Sequence, residues 1–261
     1  MKVTVVKVGG AVVEDSASLK ELLGEFCSLP GAKVLVHGGG RTATKVAASL
    51  GIPTEMVEGR RITSAQMLEV VTMVYGGLVG RNIVGSLAKA GIPAVSLTGA
   101  DLALMKAHRR PPVEMGGKMV DFGYVGDVDS VDAKALLTLL ESDIVPVVAP
   151  LSFDPEAGTL LNTNADTIAS KVASSLAWSG CEVNLVYCFE KRGVLSDPDD
   201  ENSVIRRITP EGFISLKEQG IVSGGMIPKI QNAMDAISSG VKKVYISSHK
   251  DISGGTVIER D

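Results

Sequence analysis

Six short apolar runs read as strands: Val3–Val8, Lys33–Val36, Ala94–Leu97, Ile144–Ala149, Val183–Cys188 and Lys243–Ile246. Helix-length segments separate most of them. Strand and helix therefore alternate along the chain, which predicts an α/β fold: a three-layer α/β/α sandwich around a mainly parallel central sheet. The helices carry start signals. Ser18 with Glu21 can form a capping box ahead of Leu22, Leu23 and Phe26, and Thr63 with Gln66 can do the same ahead of Met67 to Leu87. In that long segment Met67, Leu68, Val70, Val71, Val74, Tyr75, Leu78 and Val79 form a stripe wider than one core face needs. Such a helix is either sandwiched inside the fold or also forms a dimer interface. Lys106 to Val128 reads as a β-hairpin excursion, and Asp197 to Asn202 as a solvated acidic turn.

No internal repeat or linker divides the 261 residues, so one domain spanning 1–261 is expected. The break nearest the middle lies at Ser179–Gly180. It separates a 1–179 lobe from a 180–261 lobe.

Composition sharpens this picture. The chain is 45% apolar but only 4% aromatic, so the core must be built from Val, Ile, Leu and Ala. That suits parallel strands covered on both faces. A net charge of −4 argues against a nucleic-acid partner. Cys27, Cys181 and Cys188 lack metal-site spacing and read as reduced thiols. The first residues form a strand rather than a signal peptide, and no apolar run reaches about 18 residues. A cytoplasmic location without a membrane partner is expected.

Ligands of open parallel sheets bind beyond the carboxyl ends of the strands. The first run ends in Lys7-Val8-Gly9-Gly10, the second in His37-Gly38-Gly39-Gly40 and the third in Thr98-Gly99. Asn162-Thr163-Asn164-Ala165-Asp166 opens a helix, and the fifth run leads into Phe189-Glu190-Lys191-Arg192-Gly193. Glycine backbone beside a helix start can approach and hold an anion. Neither G-x-x-x-x-G-K-[ST] nor G-x-G-x-x-G after the first strand is present, so P-loop kinases, protein kinases and dinucleotide dehydrogenases are unsupported. The three histidines are scattered, and His37 reads as a strand-end packing residue. Lysines, an arginine, asparagines, an aspartate and glycine backbone remain. That inventory suits phosphoryl transfer, which needs positioning and charge neutralisation more than covalent help.

These residues resemble the amino-acid kinase superfamily, and within it the N-acetyl-L-glutamate kinases of arginine biosynthesis. The matching elements run in order along the chain: Lys7-Val8-Gly9-Gly10, Val36-His37-Gly38-Gly39-Gly40, Gly59-Arg60-Arg61-Ile62-Thr63, Ser96-Leu97-Thr98-Gly99-Ala100-Asp101, Phe122-Gly123-Tyr124-Val125-Gly126, Asn162-Thr163-Asn164-Ala165-Asp166 and Gly225-Met226-Ile227-Pro228-Lys229. The resemblance implies that Lys7 and Lys229 stabilise the transferring phosphoryl group and that Asp166 orients both. Gly10, Gly39 and Gly40 would donate backbone hydrogen bonds to phosphate and to the reacting γ-carboxylate. Arg61 and Asn162 would hold the substrate's α-carboxylate and N-acyl group. Glu190, Lys191, Arg192, Gly193, Val194, Leu195, Ile221, Val222 and Ser223 would line the ATP site, with Gly9, Asn164, Gly225 and Met226 in support. The implied reaction takes ATP and N-acetyl-L-glutamate to an acyl phosphate and ADP. Mg²⁺ would arrive with the nucleotide, and no metal site of the protein's own is implied.

Two departures mark this chain. The family usually carries Thr-Asp or Ser-Asp where this chain has Phe189-Glu190. It is usually apolar where this chain has Arg60, a cation that could pair with the extra carboxylate of an N-succinyl group. N-succinyl-L-glutamate is the rival substrate, and a carrier-protein-bound aminoadipate a weaker one. A non-catalytic ligand-sensing module is a further alternative, although the lysines and Asp166 are all present. The chain begins at its first strand, without the N-terminal helix of arginine-inhibited hexameric members, so a homodimer lacking that feedback is expected.

Overall fold

The computed structural model describes the whole chain except residues 198, 223–225 and 261. The alternation of strand and helix produces a twisted eight-stranded sheet. Its strands are β1 (Lys2–Val8), β2 (Ala32–His37), β3 (Ala94–Leu97), β4 (Val145–Val148), β5 (Glu182–Phe189), β6 (Arg207–Ile208), β7 (Lys243–Ser248) and β8 (Asp251–Ile258). The order across the sheet is β6-β8-β7-β5-β1-β2-β4-β3. The six runs expected from sequence are the six neighbouring parallel strands, from β7 across to β3. β8 turns back antiparallel to β7, and β6 adds to its outer side. Those two were not expected, because β8 is broken by Ser253, Gly254 and Gly255 and β6 is only two residues long.

Period-two alternation decides what the sheet's faces carry. In β1, Val3 and Val5 join one apolar core with the Ala165–Trp178 helix, while Val6 and Val8 join the other with the Ser16–Ser28 helix. Lys7 continues the Val3–Val5 side. In β5, Val183, Leu185 and Tyr187 face that same core, and Phe189 is packed against it. The Met226–Ser238 helix covers this face as well, through Ile230, Ala233 and Ile237. Lys7, Tyr187, Phe189 and the helices bearing Asp166 and Lys229 thus share one side of the sheet. His37 follows Val34 and Val36 by odd steps and falls on the opposite side.

A second sheet lies beyond β3 and β4. It has four strands in the order Thr159–Asn162, Leu151–Asp154, Met105–Arg109, Gly126–Val131. The expected excursion is there, with its outer hairpin Val113–Met115 and Lys118–Val120, but it is built into this sheet rather than standing alone. Two start signals are corrected. Asp15, not Ser18, caps the Ser16–Ser28 helix, accepting from the Ser18 amide at 2.7 Å. Ser64, not Thr63, caps the next, because Thr63 is buried and its backbone pairs with Phe122 and Tyr124.

The long helix runs Ala65–Lys89. It is long and apolar enough to cross a membrane, but Val70, Val71, Val74, Ile83 and Leu87 are buried in the core, while Met73 and Leu78 on another face are exposed. Its middle, Thr72–Val79, is wound as a π-helix. Such widened turns often mark functional ground.

The two glycine loops meet backbone to backbone. Gly38 donates to the Val8 carbonyl at 2.9 Å, and a Cβ on Gly38 would stand 2.9 Å from the Gly10 nitrogen. There is no flexible side chain to yield. We expect Gly38→Ala to destabilise the fold by about 1–3 kcal/mol, read as a lower urea midpoint with unchanged slope. Gly51→Ala, at a loop glycine with open space around it, should show no such packing cost; the left-handed φ of 70° is the source of the about 1–2 kcal/mol it should lose.

Candidate functional site

Parallel register puts three strand ends level. Lys7 stands opposite Val36 on one side and Tyr187 on the other, and Val8 stands opposite His37 and Cys188. The chain then leaves the sheet through glycine in the first two cases and through Phe189 and Glu190 in the third. The Ala165–Trp178 helix begins over this edge, capped by Asn164, whose side-chain oxygen accepts from the Asp166 and Thr167 amides. Asp166 sits in the first turn, where the helix dipole favours its charge.

Lys7 is 7% exposed, and its Nζ lies 2.8 Å from Asp166 Oδ1. That oxygen is buried and finds no aligned hydrogen-bond donor, so the contact is an ion pair rather than a directed hydrogen bond. Lys229 arrives from the Met226–Ser238 helix. Its Nζ lies 3.8 Å from the centre of the Phe189 ring, and Lys7 Nζ lies 5.0 Å from the same ring. Burial pushes the Lys229 ammonium below the ordinary lysine range, and Lys7 acts the same way by repulsion, while Asp166 and Glu190 oppose the shift. Two cations from opposite ends of the chain therefore meet at one phenyl ring, and Asp166 pairs with one of them, Lys7.

A cleft of about 410 Å³ opens beside them. Gly9, Gly10, Gly40, Glu190, Lys191, Gly193, Met226 and Lys229 line it. Lys7 and Asp166 stand behind this lining; a Cβ on Gly9 would come within 4.0 Å of Lys7 Nζ. A second, polar cleft of about 640 Å³ shares Glu190 and contains Arg192, Arg206 and Lys250. Val194 and Val222 are buried in the core. Their amides are engaged too, with Thr256 Oγ1 and the Leu216 carbonyl respectively. Leu195 and Ile221 are half-buried nearby. Ser223 and Gly225 lie outside the described residues.

Arg61 belongs to a short ribbon, Glu55–Val57 paired with Arg60–Ile62. Its Nη2 donates to the Gly40 carbonyl and to Thr44 Oγ1, each at 2.9 Å. Arg60 is exposed and, by strand alternation, faces the opposite side of the ribbon. Asn162 is half-buried, and its Nδ2 donates to Thr63 Oγ1 at 2.9 Å, two residues beyond Arg61. Sequence reasoning missed Tyr75 and Thr44 here. Tyr75 lies in the π-helical turn, where a Cβ on Gly39 would come 3.0 Å from its ring, and its hydroxyl lies in the electrostatic reach of Arg61. A tyrosine within an otherwise aliphatic stripe was the available signal. Burial raises the Tyr75 phenol, with Arg61 working against it.

His37 is fully buried. Its Nδ1 donates to the Gly38 carbonyl at 2.8 Å, and burial pulls its pKa down to about 4. It is neutral at physiological pH and packs on the far side of the sheet from the ion pair. Among the described residues, no group of three or more His, Cys, Asp or Glu side chains could hold a metal ion.

The profile of the Amino acid kinase family matches residues 2–248. The acetylglutamate kinase of Phocaeicola vulgatus is 52% identical over 261 residues, covering 99% of each chain. That of Parabacteroides distasonis is 53% identical over 254 residues, covering 97% of each. Among solved structures, carbamate kinase from Giardia lamblia bound to AMP-PNP superposes with a TM-score of 0.69 at 15% identity, covering 100% of this chain and 99% of that one. That likeness concerns the fold alone.

The His37 shift has a sign that can be tested. The folded state favours neutral imidazole, so its contribution is fully present above about pH 6.5 and is lost as pH falls toward 4. The loss should reach about 3 kcal/mol, measured as the difference in urea stability between the native chain and His37→Gln across that interval.

Proposed function

The chain belongs to the amino acid kinase family, and on that premise we propose that it transfers the γ-phosphoryl group of ATP to the γ-carboxylate of N-acetyl-L-glutamate. The products are the acyl phosphate and ADP, a step of arginine biosynthesis. Relatives of that name at about half identity over the full chain support the substrate. The observation that carries the chemistry is the meeting of Lys7 and Lys229 at Phe189, with Asp166 paired to Lys7, beside a glycine-lined cleft.

The reaction forms a bond from a carboxylate oxygen to the γ-phosphorus while the bond to the ADP oxygen breaks in line with it. Both reactants are anions, so the barrier is largely electrostatic. Lys7 and Lys229 are assigned to the oxygens of the transferring group. Asp166 holds Lys7 in place between turnovers and favours the ammonium form of Lys229. Gly10, Gly39 and Gly40 offer backbone amides to the phosphate chain and the reacting carboxylate, with Gly9 shaping the same turn. Arg61 has a guanidinium suited to the substrate α-carboxylate, and Asn162 is assigned to the N-acyl group. Asn164 fixes the helix start that presents Asp166.

The 1–179 lobe is assigned to the acyl amino acid and the 180–261 lobe to the nucleotide. Within the latter, Glu190, Lys191, Arg192, Gly193 and Met226 are the side of the site toward ATP. Val194, Leu195, Ile221 and Val222 are assigned to supporting it from the adjoining packing. Mg²⁺ on the nucleotide would add charge neutralisation at the phosphates. A hydrated Mg²⁺ needs only one or two protein carboxylates, and Glu190 is the carboxylate among the described residues lining the cleft. A homodimer fits the exposed Met73 and Leu78 on the Ala65–Lys89 helix.

Trapping the acyl phosphate with hydroxylamine tests the reading directly. Lys7→Ala and Lys229→Ala should each lower kcat about 10²–10³-fold with native circular dichroism. Near-normal turnover in both would sink the mechanism. In the same assay acetylglutamate should be preferred over glutamate and aspartate. If succinylglutamate is preferred instead, and Arg60→Ala abolishes that preference, the acyl group is assigned wrongly.

A further inference from the structure

We propose that Phe189 is a positioning residue of the phosphoryl-transfer site, its ring face holding the Lys229 ammonium in place without occupying the hydrogen-bond donors that the ammonium presents to the transferring group. This deepens the kinase reading and rests on it.

Three observations carry it. The ring centre lies 3.8 Å from Lys229 Nζ and 5.0 Å from Lys7 Nζ, so a single side chain touches the environment of both cations. The ring is itself fixed. It stacks on Tyr187, two residues earlier on the same face of β5, with centroids 6.3 Å apart and planes 18° from parallel. Tyr187 is buried, and its hydroxyl donates to the Asp166 carbonyl at 3.3 Å. Strand β5 thus links the helix start bearing Asp166, the ring and both ammonium groups through direct contacts.

The physical need is specific. Lys229 is half-buried in surroundings that disfavour its charge. A carboxylate partner of its own would hold it but would compete with the phosphate for its N–H groups. The negative face of an aromatic ring attracts a cation without accepting a directed hydrogen bond. The charged groups acting on Lys229 are Asp166 and Glu190, which favour its ammonium form, and Lys7, which disfavours it. Lys191 and Arg41 line the same cleft and add positive charge. Asp166 is paired to Lys7 at 2.8 Å, and the Phe189 ring centre lies 3.8 Å from Lys229 Nζ.

The test compares the full-length protein with Phe189→Leu, Phe189→Met and Phe189→Tyr. Competitive labelling with an amine-reactive reagent across pH, read by peptide mass spectrometry, reports Lys229 deprotonation without any substrate. Leu and Met keep the apolar bulk and lose the ring, so the labelling midpoint should fall by about half to one pH unit. Tyr should restore it. In the hydroxamate assay the same two variants should lose about 3- to 30-fold in kcat with KM for the acyl amino acid little changed, and the alkaline limb of kcat should move down with the labelling midpoint. A merely structural role would lower thermal stability and disturb KM without moving the midpoint. If Leu and Met label like the native chain, the proposal is overturned, and two apolar variants guard against one failing to fold. If the native chain forms no hydroxamate, the kinase reading fails, while the labelling comparison still decides whether the ring holds Lys229.

Discussion

Two like charges must be held close together in a partly dry place, and much of this molecule follows from that requirement. Lys7 and Lys229 repel each other, and burial disfavours the charge of Lys229. One carboxylate, Asp166, compensates Lys7 at 2.8 Å. The face of Phe189 serves Lys229. Neither device cancels the positive field of the site, and an anionic phosphoryl group arriving between the lysines would complete the balance. An ion pair this buried does little for stability by itself, because desolvation offsets attraction. It is better understood as pre-organisation for the anion.

The sheet makes this arrangement possible. Alternation along β1 places Lys7 on the face covered by the Ala165–Trp178 and Met226–Ser238 helices, and alternation along β5 places Tyr187 and Phe189 there too. A register slip of one residue would send Lys7 to the other core and the ring away from both lysines. The glycine loops then close over the strand ends with backbone alone, since a Cβ on Gly38 would reach the Gly10 nitrogen at 2.9 Å. Arg61 and Asn162 are fixed near the same edge by different routes. Arg61 is held by Gly40 and Thr44, and Asn162 by Thr63. The π-helical turn sets Tyr75 against Gly39 and Arg61, so a helix otherwise devoted to the core also meets the site.

Phe189 shows how a departure from a family pattern acquires meaning only in three dimensions. In the sequence it stood as an apolar residue where a small hydroxyl residue was expected, and it lowered the legibility of the nucleotide loop. In the fold its ring centre lies within 5.0 Å of two cations and it stacks on a buried tyrosine. Arg60 moved the other way. It was singled out as a possible pocket cation, yet it is exposed on the face of the ribbon opposite Arg61.

The sequence by itself determined the six parallel strands, because Val- and Ile-rich runs separated by helix-length segments have few other ways to bury their apolar surface. It also determined the chemical inventory, because glycines after successive strands beside lysines have a physical use at an anion site. It could not determine β8, whose glycines interrupt the apolar signal, or the second sheet, whose pairings join distant segments. It misplaced two helix caps, since Asp15 and Ser64 compete with neighbours of similar propensity and tertiary burial of Thr63 decided the outcome. Only the tertiary structure decided which residue stands beside which cation. Lys7 and Asp166 are far apart in the chain, and so are Phe189 and Lys229. Their contacts depend on strand order and helix placement, which local propensity does not encode.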